Sequence, residues 1–402
     1  MELSRVIRRR ELSHGPLLED LVGGQEEKTA HGRLLVARRE YQLHHSHGTL
    51  PLRWALEAPP DVLRLLSRQP SDDPAPLRLL YLDTETTGLA GGTGTYAFLV
   101  GAGFFEADRF VLTQYFMRDL DEEPALISAM ETLLAGFGGV VTYNGRGFDL
   151  PLLETRFVLS RRPWPRHLWH LDLLSPARRL WSARLPDCRL VTIEAHVLGV
   201  DRSDDVPGAL IPSLYFQYLR TRHAGEMPRV FEHNRLDVLS LVTLTGWVVR
   251  ALADPDEFDL APEEYVGLGR FWEGADDKRG VECYQAALTR GLGSPDRERL
   301  LLRLGLRAKR QARWHDACQF WEAAIADDGA AFDPRPWEEL AKYYEHRSRD
   351  LVAAYRATTE ALARAEAEVA PEAVRASLAH RLSRLCRRSG LAHFRFPGRQ
   401  PD

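Results

Sequence analysis

Lysine is nearly absent from this chain. Of its 53 basic residues only four are lysines (Lys28, Lys278, Lys309 and Lys342), and the other 49 are arginines. Genome composition alone accounts for such a bias, although arginine's planar fork also suits phosphate and base stacking. A basic excess is missing as well: 57 acidic residues leave a net charge of −4. That excludes a purely electrostatic nucleic-acid binder. The four cysteines (Cys188, Cys283, Cys318 and Cys386) form no C-x-x-C pair, which argues against a zinc knuckle or a thioredoxin-like site. Scattered, unpaired cysteines fit a reducing compartment. The longest apolar stretch, residues 238–249, is about a dozen residues and contains Thr243 and Thr245, against about 20 for a membrane helix. The opening MELSRVIRRRELSHG has no apolar run to serve as a signal peptide. Together these absences read as a soluble, cytoplasmic protein.

What is present is ordinary globular material. The chain has 402 residues, 44% hydrophobic and 27% charged, which suits two or three domains with real cores. Residues 1–75 read as an N-terminal extension. It carries Arg8-Arg9-Arg10, a His44-His45-Ser46-His47 tract that suits a solvated loop more than a metal site, and a proline cluster at 70–76. Alternation over residues 32–37 suggests a strand or two.

Residues 76–253 read as an α/β domain. Strands are expected at 77–82, 96–105, 109–117, 139–144 and 167–174, with a helix over 123–137 and another opening at Asp149-Leu150-Pro151. That order describes a mixed sheet with flanking helices. The acidic, proline-broken segment 252–259 reads as a boundary. Beyond it, residues 262–395 repeat. Leu268-Gly269-Arg270, Leu304-Gly305-Leu306 and Leu340-Ala341-Lys342 recur at a spacing of 36. Ala286-Ala287-Leu288, Ala323-Ala324-Ile325 and Glu360-Ala361-Leu362 recur at 37. Such periods suggest an all-α, tetratricopeptide-like array with residues 371–393 as its cap; a plain helical bundle is the alternative.

The chemistry concentrates in three places. Asp83 and Glu85, two apart at a strand end, point to one side. Asp149 stands at a strand-to-helix junction after Asn144-Gly145-Arg146. His233 and Asp237, at i and i+4, share a helix face. Clustered carboxylates repel one another and must be offset by protons or a cation. Four of them suit hard ions such as Mg²⁺ or Mn²⁺, and two such ions can clamp both oxygens of a phosphodiester displacement. A nearby imidazole could take the proton of the attacking water.

Asp83-x-Glu85, Asn144-x-x-x-Phe148-Asp149 and His233-x-x-x-Asp237 resemble the three motifs of the DEDD superfamily of 3′–5′ exonucleases, which have a ribonuclease H-like fold. The run from Leu82 to Gly101, with Thr86, Gly88 and the glycines at 91, 92 and 94, resembles the YprB-type ribonuclease H-like proteins, a bacterial branch with a helical-repeat C-terminus. The resemblance implies a metal-dependent 3′–5′ exonuclease acting on ends of single-stranded DNA or RNA by a two-metal mechanism. It implies two Mg²⁺ or Mn²⁺ ions on Asp83, Glu85, Asp149 and Asp237, with His233 as the water-orienting base. His233 combines the histidine of one subtype of that superfamily with the spacing of the other.

Substrate contacts are expected from Asn144, Thr86, Gly92 and Arg146. The glycine run lacks a P-loop's Gly-Lys-Ser/Thr ending; it either admits a nucleic-acid backbone or merely turns the chain. Arg161, Arg162 and Arg166 around Trp164, with Arg178 and Arg179, are either a grip for single strands or a solvated loop. Asp172 either lines the rim of the cleft or caps the adjacent helix. The competing function is a catalytically weak nucleic-acid-binding scaffold that recruits a protein partner through its helical repeats. Internal cleavage by the same metals is a third reading.

Overall fold

The computed structural model describes residues 16–67, 78–88, 93–326 and 331–389. They form two compact units that divide between Val281 and Glu282. The first is built on a seven-stranded mixed sheet. Its strands are β1 (Gly24–Thr29), β2 (Gly32–Gln42), β5 (Leu79–Thr86), β6 (Ala97–Glu106), β7 (Arg109–Phe116), β8 (Gly139–Thr142) and β9 (Trp169–Asp172). The two-residue strands β3 (Ser46–His47) and β4 (Leu50–Pro51) pair separately. The order in the sheet is β1-β2-β7-β6-β5-β8-β9. Pairing is antiparallel from β1 to β5 and parallel across β5, β8 and β9. This is the expected mixed, ribonuclease H-like sheet.

The apolar runs explain the central strands. Leu79, Leu80, Tyr81 and Leu82 are buried, as are residues 97–103 of β6. A strand covered on both faces reads as a continuous apolar run rather than an alternation. The N-terminal segment is more than a packed extension, because β1 and β2 add two strands to the sheet. β1 (GQEEKT) is an exposed, polar edge strand, a composition that discourages edge pairing with other chains.

A groove in the sheet positions the site. Gly101 on β6 lies opposite Asp83. A Cβ there would sit 2.8 Å from Cγ of Asn234 and closer still to its Oδ1. A Cβ on Gly103 would sit 2.7 Å from Cγ1 of Val238. Asn234 and Val238 are one turn apart on the helix Met227–Ala253, so the missing side chains let that helix lie directly against the sheet. By length and composition the helix could cross a membrane; here it is a core element, with residues 238–249 buried.

The acidic segment after this helix does not divide the molecule. The next helix, Pro262–Trp272, packs on Leu174–Trp181. Trp181 Nε1 donates to Glu264 at 2.6 Å, and Gly267 lies against the backbone of Leu180. The first unit therefore runs on to Val281.

The second unit is all-helical. Its helices Asp296–Arg310, Trp314–Ile325, Pro334–Tyr343, Leu351–Ala367 and Glu372–Ser389 pack in chain order, each on the next. The repeated triplets at 304–306 and 340–342 fall on the first helix of successive pairs, and those at 323–325 and 360–362 on the second. Small residues there permit close approach: a Cβ on Gly305 would sit 2.8 Å from Cε2 of Trp321.

If the glycine groove sets the helix on the sheet, Gly101→Ala must push Asn234 away. Overpacking of this kind costs about 1–3 kcal/mol. Urea denaturation is expected to show that loss; an unchanged midpoint would show that the contact is not close-packed.

Candidate active site

Three elements bring the acidic residues together. Asp83 and Glu85 lie on β5 ahead of a register shift at Glu85/Thr86. Asp149 opens the helix Asp149–Leu159. His233 and Asp237 come from the helix Met227–Ala253. Nε2 of His233 is 4.0 Å from Glu85 Oε1 and 3.7 Å from Asp237 Oδ2.

Their proton affinities record the crowding. Burial, then the charges of Asp237, Glu85 and Asp149, push Asp83 well above the usual carboxylate range. Burial lifts Glu85 to about 8, aided by Asp237, Asp149 and Asp205 and opposed by His233. Burial lifts Asp149 to about 6 against the opposing bond from Thr84. For His233, burial favours the neutral ring. The bond to Asp205 and the charges of Asp237 and Glu85 outweigh it and raise the ring to about 9.

Three of the four carboxylates are restrained by a neighbour that the sequence motifs did not single out. Thr84 Oγ1 donates to Asp149 Oδ1 at 2.5 Å, and Asn234 Nδ2 donates to Asp83 Oδ2 at 2.8 Å. Arg202 donates to Asp237, to Glu194 at 2.6 Å and to Asp205 at 2.6 Å. Only 9% of the Arg202 side chain is exposed; burial disfavours its charge, but the Asp237 and Glu194 carboxylates outweigh this and strengthen it. Asp205 Oδ2 also meets His233 Nδ1 at 2.7 Å, which turns Nε2 toward Glu85 and Asp237. Behind them, Ser240 Oγ donates to the fully buried Glu194 and meets His47 Nε2 at 2.7 Å. His47 is thus a buried neutral ring, its pKa lowered to about 3 by burial and by Arg202, rather than part of a solvated loop.

Among the described residues, no group of three or more His, Cys, Asp or Glu side chains is assembled to hold a metal ion. Asp237 is instead ion-paired with Arg202. The chemistry of the donor set nevertheless fits a hard divalent cation: crowded carboxylates from three elements are offset, among the described residues, by one guanidinium and one imidazole. The residues that could hold such an ion are Asp83, Glu85, Asp149 and Asp237.

The expected substrate residues fare differently. Thr86 is buried, and its hydroxyl donates to the Gly88 carbonyl at 2.9 Å, so it closes the turn instead of facing a ligand. Asp149 is held by Thr84. Asn144 stands at a left-handed φ of 63°, exposed like Arg146. Asp172 holds this loop by accepting from the Asn144 and Arg146 amides at 2.8 and 3.0 Å, and also from Leu174 N. It is a clamp on the motif loop as well as a cap. Gly92 lies outside the described residues. At the far end of the glycine turn, Arg156 donates to Thr93 O at 2.7 Å and to Glu123 at 2.6 Å. In the basic loop, Arg162 is paired with Glu131 and Trp164 packs edge-on against Phe157. Arg179 lies over the Phe271 ring at 4.2 Å.

Comparison with known proteins agrees with this geometry. Residues 80–249 match the family model of the RNase H superfamily. The chain is also similar to the uncharacterized protein YprB of Bacillus subtilis (strain 168). The two are 28% identical over 337 residues, which cover 82% of this chain and 80% of that protein.

The proton affinities carry a pH dependence. Below about pH 6.5 the raised Glu85 and Asp149 are opposed by the buried neutral His47 and His170, whose lowered pKa values favour folding as pH rises. Above about pH 6.5 Glu85 and His233 hold protons more tightly folded than unfolded, so stability must fall as pH rises from there toward pH 9. Thermal melts in EDTA are expected to show a Tm that falls between about pH 6.5 and pH 9, with Mg²⁺ flattening the fall. A Tm that rises over that range would contradict the clustering.

Proposed function

We propose that the first unit is a metal-dependent 3′–5′ exonuclease that hydrolyses phosphodiester bonds at the ends of single-stranded DNA or RNA. One observation carries this reading: carboxylates from three elements converge with an imidazole whose free nitrogen faces them. The match to the RNase H superfamily supports nucleic acid as the substrate class. The exonuclease subtype rests on the motif resemblance. The four free thiols support a cytoplasmic setting.

Two divalent ions, Mg²⁺ or Mn²⁺, on Asp83, Glu85, Asp149 and Asp237 would supply charge neutralisation and Lewis acidity at the scissile phosphate. The chain's own residues supply the rest. Asp205 fixes Nδ1 of His233, leaving Nε2 to accept a proton from the attacking water. At a pKa of about 9 the ring is already protonated at neutral pH in the metal-free protein. It becomes a proton acceptor only when the surrounding carboxylate charge is compensated. Hydrolytic competence and cation binding are thereby coupled through one imidazole. Arg202 would keep Glu194 and Asp205 as partners if Asp237 held a cation. Asn144 and Arg146 are exposed on the loop before Asp149 and are available to an incoming strand.

The test uses 5′-labelled single-stranded DNA, single-stranded RNA and a 3′-recessed duplex with Mg²⁺, Mn²⁺ or EDTA. A ladder that shortens from the 3′ end is expected. EDTA and Asp83→Ala should each reduce it by about a hundredfold to a thousandfold, the scale expected when an electrostatic catalytic group is removed. Cleavage of a circular single strand would instead assign internal cutting. No cleavage by folded protein under any metal would assign the scaffold reading.

A further inference from the structure

The last helix, Glu372–Ser389, carries five arginines (Arg375, Arg381, Arg384, Arg387 and Arg388) and a single carboxylate, Glu372. Leu378 and Leu385 bury one face of it. Arg381, Arg384 and Arg388 are spaced at steps of three and four, so they form a row about 10 Å long on one side. All three reach toward Glu345, a fully buried residue of the turn Tyr344–Ser348. Arg381 Nη1 is 3.2 Å from it, Arg384 Nη2 is 2.7 Å away, and Arg388 is also paired with it. Among the described residues, Glu345 is the carboxylate that all three share. One negative charge cannot balance three guanidiniums, and two positive charges are left over. The outer members of the row are open, with 34% of Arg384 and 48% of Arg388 side-chain surface exposed.

The neighbourhood adds to this. Arg347 and Arg349 are exposed on or beside the same turn. The Arg347 guanidinium lies over the Trp314 ring at 5.3 Å, and that ring stacks on Tyr343. Residues 282–402 hold 21 basic against 17 acidic side chains, whereas residues 1–281 hold 32 against 40. The chain's modest net charge therefore conceals a basic second unit.

We infer that the Arg381–Arg384–Arg388 row is a binding surface for the phosphate backbone of single-stranded nucleic acid. Glu345 acts as its internal template: it fixes three flexible side chains in a row before any ligand arrives, which lowers the ordering cost of binding. Guanidinium groups grip phosphate oxygens in pairs, and a row of them tracks a strand rather than a point charge. Nucleic acid is chosen over an acidic polypeptide because the proposed reaction of the first unit acts on nucleic acid, and to that extent the inference rests on that reading.

The experiment is fluorescence anisotropy of a labelled oligothymidylate and oligouridylate with the full-length protein in EDTA, over a salt series. EDTA removes cleavage from the readout. Arg384→Gln/Arg388→Gln is expected to weaken binding by about tenfold. It should also lower the slope of log K against log salt by about 1.4, the loss of two contacts on a single strand. Lysine at both positions should restore the slope. Arg387→Gln/Arg388→Gln keeps Arg381 and Arg384 on Glu345 and should also reduce the slope, with an unchanged circular dichroism spectrum. Unchanged affinity and slope in both glutamine variants would overturn the inference. So would polyglutamate displacing the oligonucleotide as well as unlabelled oligonucleotide does, which would assign an acidic polypeptide to the row. Oligonucleotide binding that depends on the row, without cleavage under any metal, would remove the nuclease reading and leave this surface standing. Cleavage with row-independent binding would remove this surface alone.

Discussion

The mutual repulsion of four carboxylates is the constraint around which the first unit is arranged. Asp83 and Glu85 cannot leave the end of β5, because the strand is central and its preceding residues are buried. The fold answers with positive charge and hydrogen-bond donors. Thr84 and Asn234 each hold one acid, Arg202 holds a third, and His233 stays protonated between two. Such an arrangement is costly in isolation, since buried charges lose hydration that pairing only partly returns. Its presence at the end of a central strand marks a candidate functional site.

Arg202 gives the arrangement its character. It has three carboxylate partners (Glu194, Asp205 and Asp237) and little exposure. Glu194 and Asp205 pair with it besides Asp237, so its charge has two carboxylate partners independent of the acidic cluster. Asp205 also sets the orientation of His233. One short segment after residue 198 thereby controls both the charge balance of the acidic cluster and the direction of its imidazole. The spacing of His233 and Asp237, at i and i+4, has the same geometric origin: both must reach β5 from one helix face.

Much of this is legible in the sequence, for identifiable reasons. Buried strands read as apolar runs, and Asp83-x-Glu85 stands out because charge is unexpected at the end of one. The i, i+4 spacing of His233 and Asp237 needs only helical periodicity. Arg202, Asp205 and Glu194 are not legible. Glu194 opens the helical turn Glu194–Leu198, and Arg202 and Asp205 follow in an irregular stretch, so their pairings depend on a loop path that periodicity does not encode. His47 misleads for a related reason: a histidine beside a glycine turn looks solvated until the helix that covers it is in place. β1 is invisible because an exposed edge strand of polar residues has no apolar alternation. The boundary at residues 252–259 fails because proline and acid mark a turn, whereas the packing of Trp181 on Glu264 joins the helix Pro262–Trp272 to the first unit. Thr86 points outward by its motif position alone, while the register shift beside it turns the hydroxyl to Gly88.

The most direct measurement is calorimetric titration of the metal-free protein with Mn²⁺ near neutral pH, beside Asp83→Asn and Asp237→Asn. Saturable binding with proton release from the wild type, lost or weakened by at least about tenfold in both variants, is the expected result. Binding that is absent from the wild type, or unchanged in both variants, would contradict a cation site built from these carboxylates.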